Sequence, residues 1–179
     1  SLVDAEWIPC RPSTDMALFL GIANAMLEMD AEKGLIDWDY LNTHTIGFDA
    51  DHMPEGEDPN GNFKDYVLGT FDGTPKTPEW ASRICGVSPE NIRYLAELMG
   101  KDNKAAILMA WASARTHNAD CLPQLVMTMG AMGGHYGKSG HGSAAIYTWD
   151  AGDSGYRLIQ HAGGDYGYID NLVGSPGAT

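Results

Sequence analysis

The sequence predicts an α/β fold, a mostly parallel sheet flanked by helices. Three observations carry that reading. Ala105–Trp111 is an apolar run without a charge, of the length and composition of a strand buried on both faces. Well-punctuated helical patterns lie on both sides of it. Ala144–Trp149 offers a last strand after the final helix.

In chain order, Trp7, Ile8 and Cys10 suggest a short strand, which Pro9 confines to an edge or an end. Pro12-Ser13-Thr14-Asp15 then leads into a long helix. Ser13 or Thr14 can cap it, and Asp15 sits at the positive end of its dipole. Phe19, Ile22, Ala23, Met26 and Leu27 recur at helical spacing and predict one apolar face. Gly34 is placed as a C-terminal stop.

Asp37 is the expected cap of a short helix holding Trp38, Tyr40 and Leu41. From Gly47 to Asn62 the chain is acidic and rich in Pro and Gly, which marks a solvated surface excursion rather than a linker. Phe63–Leu68 reads as a helical turn ending at Gly69. Thr77 and Pro78 start the next helix and Gly86 closes it. Trp80, Ala81 and Ile84 are expected to face inward. Lys76, just ahead of it, reads as an exposed lysine without a specific task. Ser88 and Pro89 repeat the start signal, with Ile92, Leu95, Ala96 and Met99 on the inner face and Gly100 as the stop.

After the apolar strand, the loop carries Ser113, Arg115, Thr116 and Asn118, small and polar residues able to turn and meet a ligand. In open α/β sheets ligands collect at the carboxyl ends of strands. Cys121–Met132 is another apolar helix, with Pro123 tolerated in its first turn and Met127, Met129 and Met132 filling core gaps. The glycine-rich loop Gly133–Gly142 follows. Its Gly137-Lys138-Ser139 matches the end of a phosphate-binding loop. The full motif would need glycine at Met132 and a strand ahead of the loop, so nucleotide hydrolysis is excluded. Glycines still let backbone amides approach an anion. Residues 150–179 are Gly-rich with scattered aromatics and no clear period. The expected division is an α/β part over 1–149 and an irregular tail over 150–179.

The totals narrow the function. The net charge of −13 argues against nucleic acid and anionic membrane surfaces as partners. No apolar run approaches the roughly 20 residues that span a bilayer, so no direct membrane insertion is expected. The three cysteines are scattered and lack a CxxC pair, so neither zinc nor an iron–sulfur cluster is encoded here. They read as buried small apolar residues. His135 and His141 lack a Cys or carboxylate partner at ligand spacing, and no metal is expected there.

Taken together, Glu6-Trp7-Ile8-Pro9 with Pro12–Asp15, then Phe63–Gly69, then Lys76-Thr77-Pro78-Glu79-Trp80-Ala81 with Cys85-Gly86-Val87, then the Gly133–Gly142 loop, follow one order. In that order they resemble the catalytic subunits of the dimethyl sulfoxide reductase family, over most of residues 5 to 142. These are molybdenum oxidoreductases carrying two molybdopterin guanine dinucleotides. The Lys-Thr-Pro-Glu-Trp-Ala block resembles most the anaerobic, membrane-complex branch.

The resemblance implies a dinucleotide-binding-like α/β piece from the interior of a longer, multidomain molybdoenzyme. The iron–sulfur cysteines and the molybdenum ligand would lie upstream, so no catalytic residue and no metal ligand is expected in this chain. The family's Pro-Gly-Thr-Asp motif falls on Pro12–Asp15, with Ser13 in place of glycine. Its aspartate is implied to bind a cofactor guanine, and a carboxylate can accept two parallel N–H bonds from that base. Where the family carries Gln-Arg this chain has Ala114-Arg115, and Arg115 could face a phosphate or the pterin edge. The Thr-Gly-Asn-x-Gly motif falls on Gly133–Gly137. Thr14, Asp15, Arg115 and Gly134 are therefore the expected cofactor-orienting residues.

By the same resemblance, the parent would use bis(molybdopterin guanine dinucleotide) with molybdenum for oxygen-atom and two-electron transfer. It would be exported to the periplasmic or outer membrane face. Its partners would be its own remaining domains, an electron-transfer iron–sulfur subunit and a membrane anchor. The isolated piece is expected to bind no cofactor and to be inactive. Pattern alone leaves two other readings open: a self-contained small-ligand or nucleotide-binding module, and an acidic interaction domain.

Overall fold

The computed structural model describes residues 5–109 and 121–145. Six helices and two strands follow one another: α1 Asp15–Lys33, α2 Trp38–His44, α3 Phe63–Leu68, α4 Pro78–Cys85, α5 Pro89–Leu98, β1 Ala106–Met109, α6 Leu122–Met132 and β2 Gly142–Ala145. Two short 3-10 turns, Ala50–His52 and Pro59–Gly61, punctuate the acidic excursion. The strands pair in parallel, with Ala106 opposite Gly142 and Met109 opposite Ala145. The result is a mixed fold with a small parallel sheet, compatible with α/β. The expected wider sheet is not seen among the described residues, where the sheet has two strands.

Helix α1 is the centre. Its stretch from Leu20 to Met26 is buried on every side, so the single apolar face expected from spacing is too narrow a description. A helix apolar all round belongs inside a core. α4, α5 and α6 all pack on it. Gly21 sets the α1–α4 distance, because a Cβ there would stand 2.5 Å from the Ala81 Cβ. Asp30 closes the turn into α2: its Oδ1 accepts from the Ile36 amide at 2.7 Å and its Oδ2 from the Trp38 indole at 2.6 Å.

The local stop and start signals act as read. Gly34, Gly69 and Gly86 end α1, α3 and α4 in the left-handed conformation. The Asp37, Thr77 and Ser88 side chains accept from the amides of Tyr40, Trp80 and Asn91, which supplies first-turn donors with partners.

Several expectations are corrected. Trp7–Cys10 is not a strand, and Trp7 is 83% exposed. In place of a strand partner, the Arg11 amide at its end donates to the Cys85 carbonyl at 2.8 Å, and Ile8 and Cys10 pack on the core. β1 is covered on one side only: Ile107 and Met109 are buried while Leu108 is 58% exposed. The covering element is α6, where Gly130 leaves no room for a Cβ beside Ser143, and the Ser143 hydroxyl donates to the Val126 carbonyl at 2.6 Å.

Ile84 and Met127 are exposed rather than inward, because Ala81 with Cys85, and Val126 with Met129, already take the inner positions of their helices. Of the cysteines only Cys85 is buried; Cys10 is intermediate and Cys121 exposed. The excursion is solvated as expected at Glu55, Glu57 and Asp58, but Phe48 and Asn62 anchor its ends in the interior.

Lys76 is the largest departure. It is 2% exposed, and its ammonium donates to the Asp72 carboxylate at 2.7 Å and to the Tyr66 and Thr74 carbonyls. It also lies 4.1 Å from the Tyr66 ring centroid. The β1 loop with Arg115, the end of the last expected strand and the 150–179 tail lie outside the described residues.

Candidate functional site

The turn before α1 is built on the end of α4. The Arg11 guanidinium donates to the carbonyls of Arg83 at 2.9 Å and Ile84 at 3.0 Å. Those two bonds and the Arg11 amide bond to Cys85 occupy the carbonyls that a helix end leaves without partners. The Thr14 hydroxyl donates back to the Arg11 carbonyl at 2.7 Å. It does not cap α1 with its side chain, contrary to the capping role its place suggests. Between them Ser13 adopts φ +65°, the single left-handed residue other than glycine among those described. That conformation is strained for any residue with a Cβ. Its effect is to turn the chain so that Asp15 opens α1, half-buried, where the helix dipole favours negative charge. Among the described residues the Asp15 carboxylate accepts no side-chain hydrogen bond. It stands close enough to Cys10 to help burial raise that thiol's pKa.

The glycine-rich loop leaves the other end of α6. Gly133 and Gly134 are buried, and Gly134 has φ +60°. The nearest neighbour of Gly134 is the Asp37 carboxylate. Burial pushes the Asp37 carboxyl up, but the Tyr40 amide and the Lys138 ammonium outweigh it and hold it below the usual carboxylate range. Lys138 reaches the Asp37 Oδ2 at 3.3 Å. His135 is fully buried, with its Nε2 2.9 Å from the Met99 carbonyl and its Nδ1 3.1 Å from the Nδ1 of His141.

A cavity of about 360 Å³ lies beside α1 and α6. Met16, next to Asp15, and Ala131, three residues before Gly134, both line it, as does Cys121 at the start of α6. Phe48, Phe63 and Tyr66 supply aromatic wall. Asp15 and Gly134 themselves stand outside it. Among the described residues no three His, Cys, Asp or Glu side chains converge to hold a metal ion. Sequence reading missed the Arg11 clamp, the Asp37–Gly134 contact and the His135–His141 pair. Only Ser13, polar and small where a turn is needed, was a local hint of the first.

Comparison with known proteins decides what this arrangement belongs to. The chain is 36% identical over 141 residues to the dimethyl sulfoxide reductase DmsA of Escherichia coli (strain K12), covering 78% of the chain and 17% of that protein. It is 34% identical over 152 residues to a trimethylamine-N-oxide reductase of Haemophilus influenzae, covering 84% of the chain and 16% of that protein. It is 36% identical over 152 residues to a dimethyl sulfoxide/trimethylamine N-oxide reductase of Cereibacter sphaeroides, again with 84% and 16% covered.

The chain belongs to the dimethyl sulfoxide reductase family. It spans 17% of the length of the first of these curated relatives and 16% of the other two. No family model matches it. Ser13, at the position where the resemblance leads one to expect glycine, has a left-handed backbone. No described helix is long and apolar enough to cross a membrane.

Proposed function

We propose that this chain forms part of the cradle for the guanine end of a bis(molybdopterin guanine dinucleotide) cofactor in a reductase of this family. The observation that carries the reading is the Ser13 turn. A residue with a Cβ is held at φ +65° there, by Arg11 and Thr14, and the turn places a half-buried Asp15 in the first turn of α1.

The residues fit a guanine. Its N1–H and N2–H present two parallel donors, and an ionised carboxylate is a two-acceptor match for them. Adenine's Watson–Crick edge has one donor beside an acceptor and would leave one carboxylate oxygen facing a lone pair. Thr14 fixes the turn, and its own hydroxyl is spent on the Arg11 carbonyl. Gly134 serves by lacking a side chain, so that its loop can lie against Asp37 and present the amides that follow. Arg115 is assigned to a phosphate or the pterin edge. When bound, the molybdenum cofactor supplies oxygen-atom and two-electron transfer, while the protein binds and orients it.

The same reading makes the chain an interior piece of a longer, exported enzyme. The rest of the α/β domain, an iron–sulfur cluster and the molybdenum ligand would come from elsewhere in that parent. An electron-transfer iron–sulfur subunit and a membrane anchor would complete it. The piece alone has no catalytic residue and is inactive.

Calorimetric titration of the chain with GDP and with ADP tests the proposal. GDP binds more tightly, and Asp15→Asn removes the difference because its amide cannot accept two N–H bonds. A guanine preference that survives Asp15→Asn overturns it. Equal binding of both nucleotides would instead support a general nucleotide-binding module.

A further inference from the structure

The segment ahead of α1 and the end of α4 bring two thiols together from distant parts of the chain. Exposure alternates along the segment. Trp7, Pro9 and Arg11 are exposed, while Ile8 and Cys10 are half-buried and pack on the core. Alternation of this kind puts the Ile8 and Cys10 side chains on one side of an extended run. Cys85, the last residue of α4, is fully buried in the same core.

The backbone sets how close the two come. The Arg11 amide donates to the Cys85 carbonyl at 2.8 Å. That bond joins the Cys10–Arg11 peptide to the Cys85–Gly86 peptide. Ordinary peptide dimensions then leave the Cys10 and Cys85 Cα atoms at most about 6–7 Å apart. Disulfides bridge Cα atoms roughly 4.4–6.8 Å apart. Two further bonds hold the approach, from the Arg11 guanidinium to the Arg83 carbonyl at 2.9 Å and the Ile84 carbonyl at 3.0 Å. The Arg11 side chain lies along Gly86, where a built Cβ would stand 3.4 Å from its Nε. The thiols are also coupled electrically: burial most, then Asp15, then Cys85 raise the Cys10 pKa.

We propose that Cys10 and Cys85 are a redox pair, which closes into a disulfide under a small disulfide oxidant and staples the turn that opens α1 to the end of α4.

Both thiols are free in this structure, so closure takes two electrons from them. Oxidised glutathione is an oxidant of the required class. Cys10 is the reachable thiol, since Cys85 has no exposed surface. Its thiolate attacks one sulfur of the small disulfide. A bond forms between that sulfur and the Cys10 Sγ, the oxidant's S–S bond breaks, and one thiolate leaves. The Cys85 thiolate then attacks the Cys10 Sγ, forms the Cys10–Cys85 bond and displaces the second small thiolate. The two cysteines are oxidised, and two small thiols carry away the two electrons and the two protons. With its pKa raised, Cys10 is mostly protonated at neutral pH and the first attack is slow, so the test belongs on the alkaline side.

The staple would close a long loop and so remove freedom from the unfolded chain. It adds a covalent tie where three hydrogen bonds already hold the turn. Cys121, exposed at the start of α6, is the thiol that competes for the oxidant. This inference is independent of the guanine reading, since no nucleotide enters its test.

The experiment uses the full chain carrying Cys121→Ser. It is incubated folded with oxidised glutathione at about pH 8.5, where more of the thiol is ionised, then alkylated and digested without reductant. Mass spectrometry finds the Cys10 and Cys85 peptides joined, lighter by two hydrogens than their sum. The joined chain melts about 5–10 °C higher, and dithiothreitol removes the rise. Cys10→Ser, at a half-buried position that tolerates a hydroxyl, abolishes both the crosslink and the shift, and Cys85→Ala does the same. Glutathione left on Cys10 without a crosslink overturns the proposal. So does a pair that reacts only after the chain is unfolded, or a crosslinked chain whose midpoint does not rise.

Discussion

Gly134 lies against Asp37 so closely that a Cβ built on it would stand 2.1 Å from the carboxylate Oδ2. The contact joins the loop after α6 to the cap of α2, across about a hundred residues of chain. It is reinforced by the Asp37 amide, which donates to the Met132 carbonyl at 2.8 Å. Gly134→Ala must therefore displace a carboxylate that is already bonded to the Tyr40 amide. It must also hold alanine at φ +60°. Left-handed backbone costs about 1–2 kcal/mol and a lost cap about 1 more, so the expected loss is roughly 2–3 kcal/mol. Gly137→Ala is the control, with φ +70° and open space around its Cβ. It should cost only the backbone share. Urea midpoints of the two variants check the difference.

Ser13 makes the opposite prediction. It holds φ +65° with a Cβ, in a turn that Arg11 and Thr14 have already fixed. Ser13→Gly relieves about 1 kcal/mol of strain, less what the freer unfolded chain takes back, and should be neutral to mildly stabilising. Ser13→Val, β-branched, should lose about 2 kcal/mol or more. Thermal melts of the pair decide it. A valine variant as stable as the parent would remove the strained turn from the account.

The Asp37 carboxylate adds a pH-dependent share. Burial opposes its ionisation, but the Tyr40 amide and Lys138 prevail, and its pKa lies below the usual range. A carboxylate with a lowered folded-state pKa contributes stability above its unfolded value, near 3.9. That contribution is lost as pH falls through the folded value. Asp37→Ala should cost about 1 kcal/mol at pH 7, as helix caps do. The gap to the parent should narrow as pH falls below the unfolded value and close only once pH has passed the lowered folded value, in denaturant titrations at each pH.

What was legible in the sequence was local. Thr77-Pro78 and Ser88-Pro89 start helices through a side chain and an amide three residues apart, and Gly34, Gly69 and Gly86 stop them through their own backbone freedom. Those signals need no distant partner. Burial does. Nothing near Asn24 or Gly21 says that α3, α4 and α5 will close around α1, so a central helix read as one-faced. Trp7–Cys10 has strand composition, but a strand needs a neighbour, and here the Cys85 carbonyl takes the Arg11 amide instead. The family was legible because its motifs are also local. The geometry at Asp15 was legible only as a motif, since Arg11 reaches its carbonyl partners across some seventy residues.

Lys76 shows the same limit and yields the last prediction. Next to a helix start it reads as a solvated charge, yet it is 2% exposed. Three oxygens surround its ammonium, from Asp72, Tyr66 and Thr74, with the Tyr66 ring above it. Its own amide donates to the Val67 carbonyl at 2.9 Å, so the backbone is held as well. The ammonium is thus the post around which the turn from Gly69 to Pro75 is wound. Gly69, with no space for a Cβ between Pro75 and Thr74, is the tight point of that turn. Lys76→Met keeps the stem and removes the charge, leaving the Asp72 carboxylate and the Thr74 carbonyl without that donor and the Tyr66 carbonyl with the Gly69 amide alone. Hydrogen bonds to charged groups are worth about 1.5–3 kcal/mol, and the expected loss lies in that range. Lys76→Arg should not restore the native value, because a planar fork cannot meet three oxygens arranged around a point charge. Denaturant unfolding of both variants checks this, and an arginine variant as stable as the parent would mean that charge alone, not its compact geometry, holds the turn.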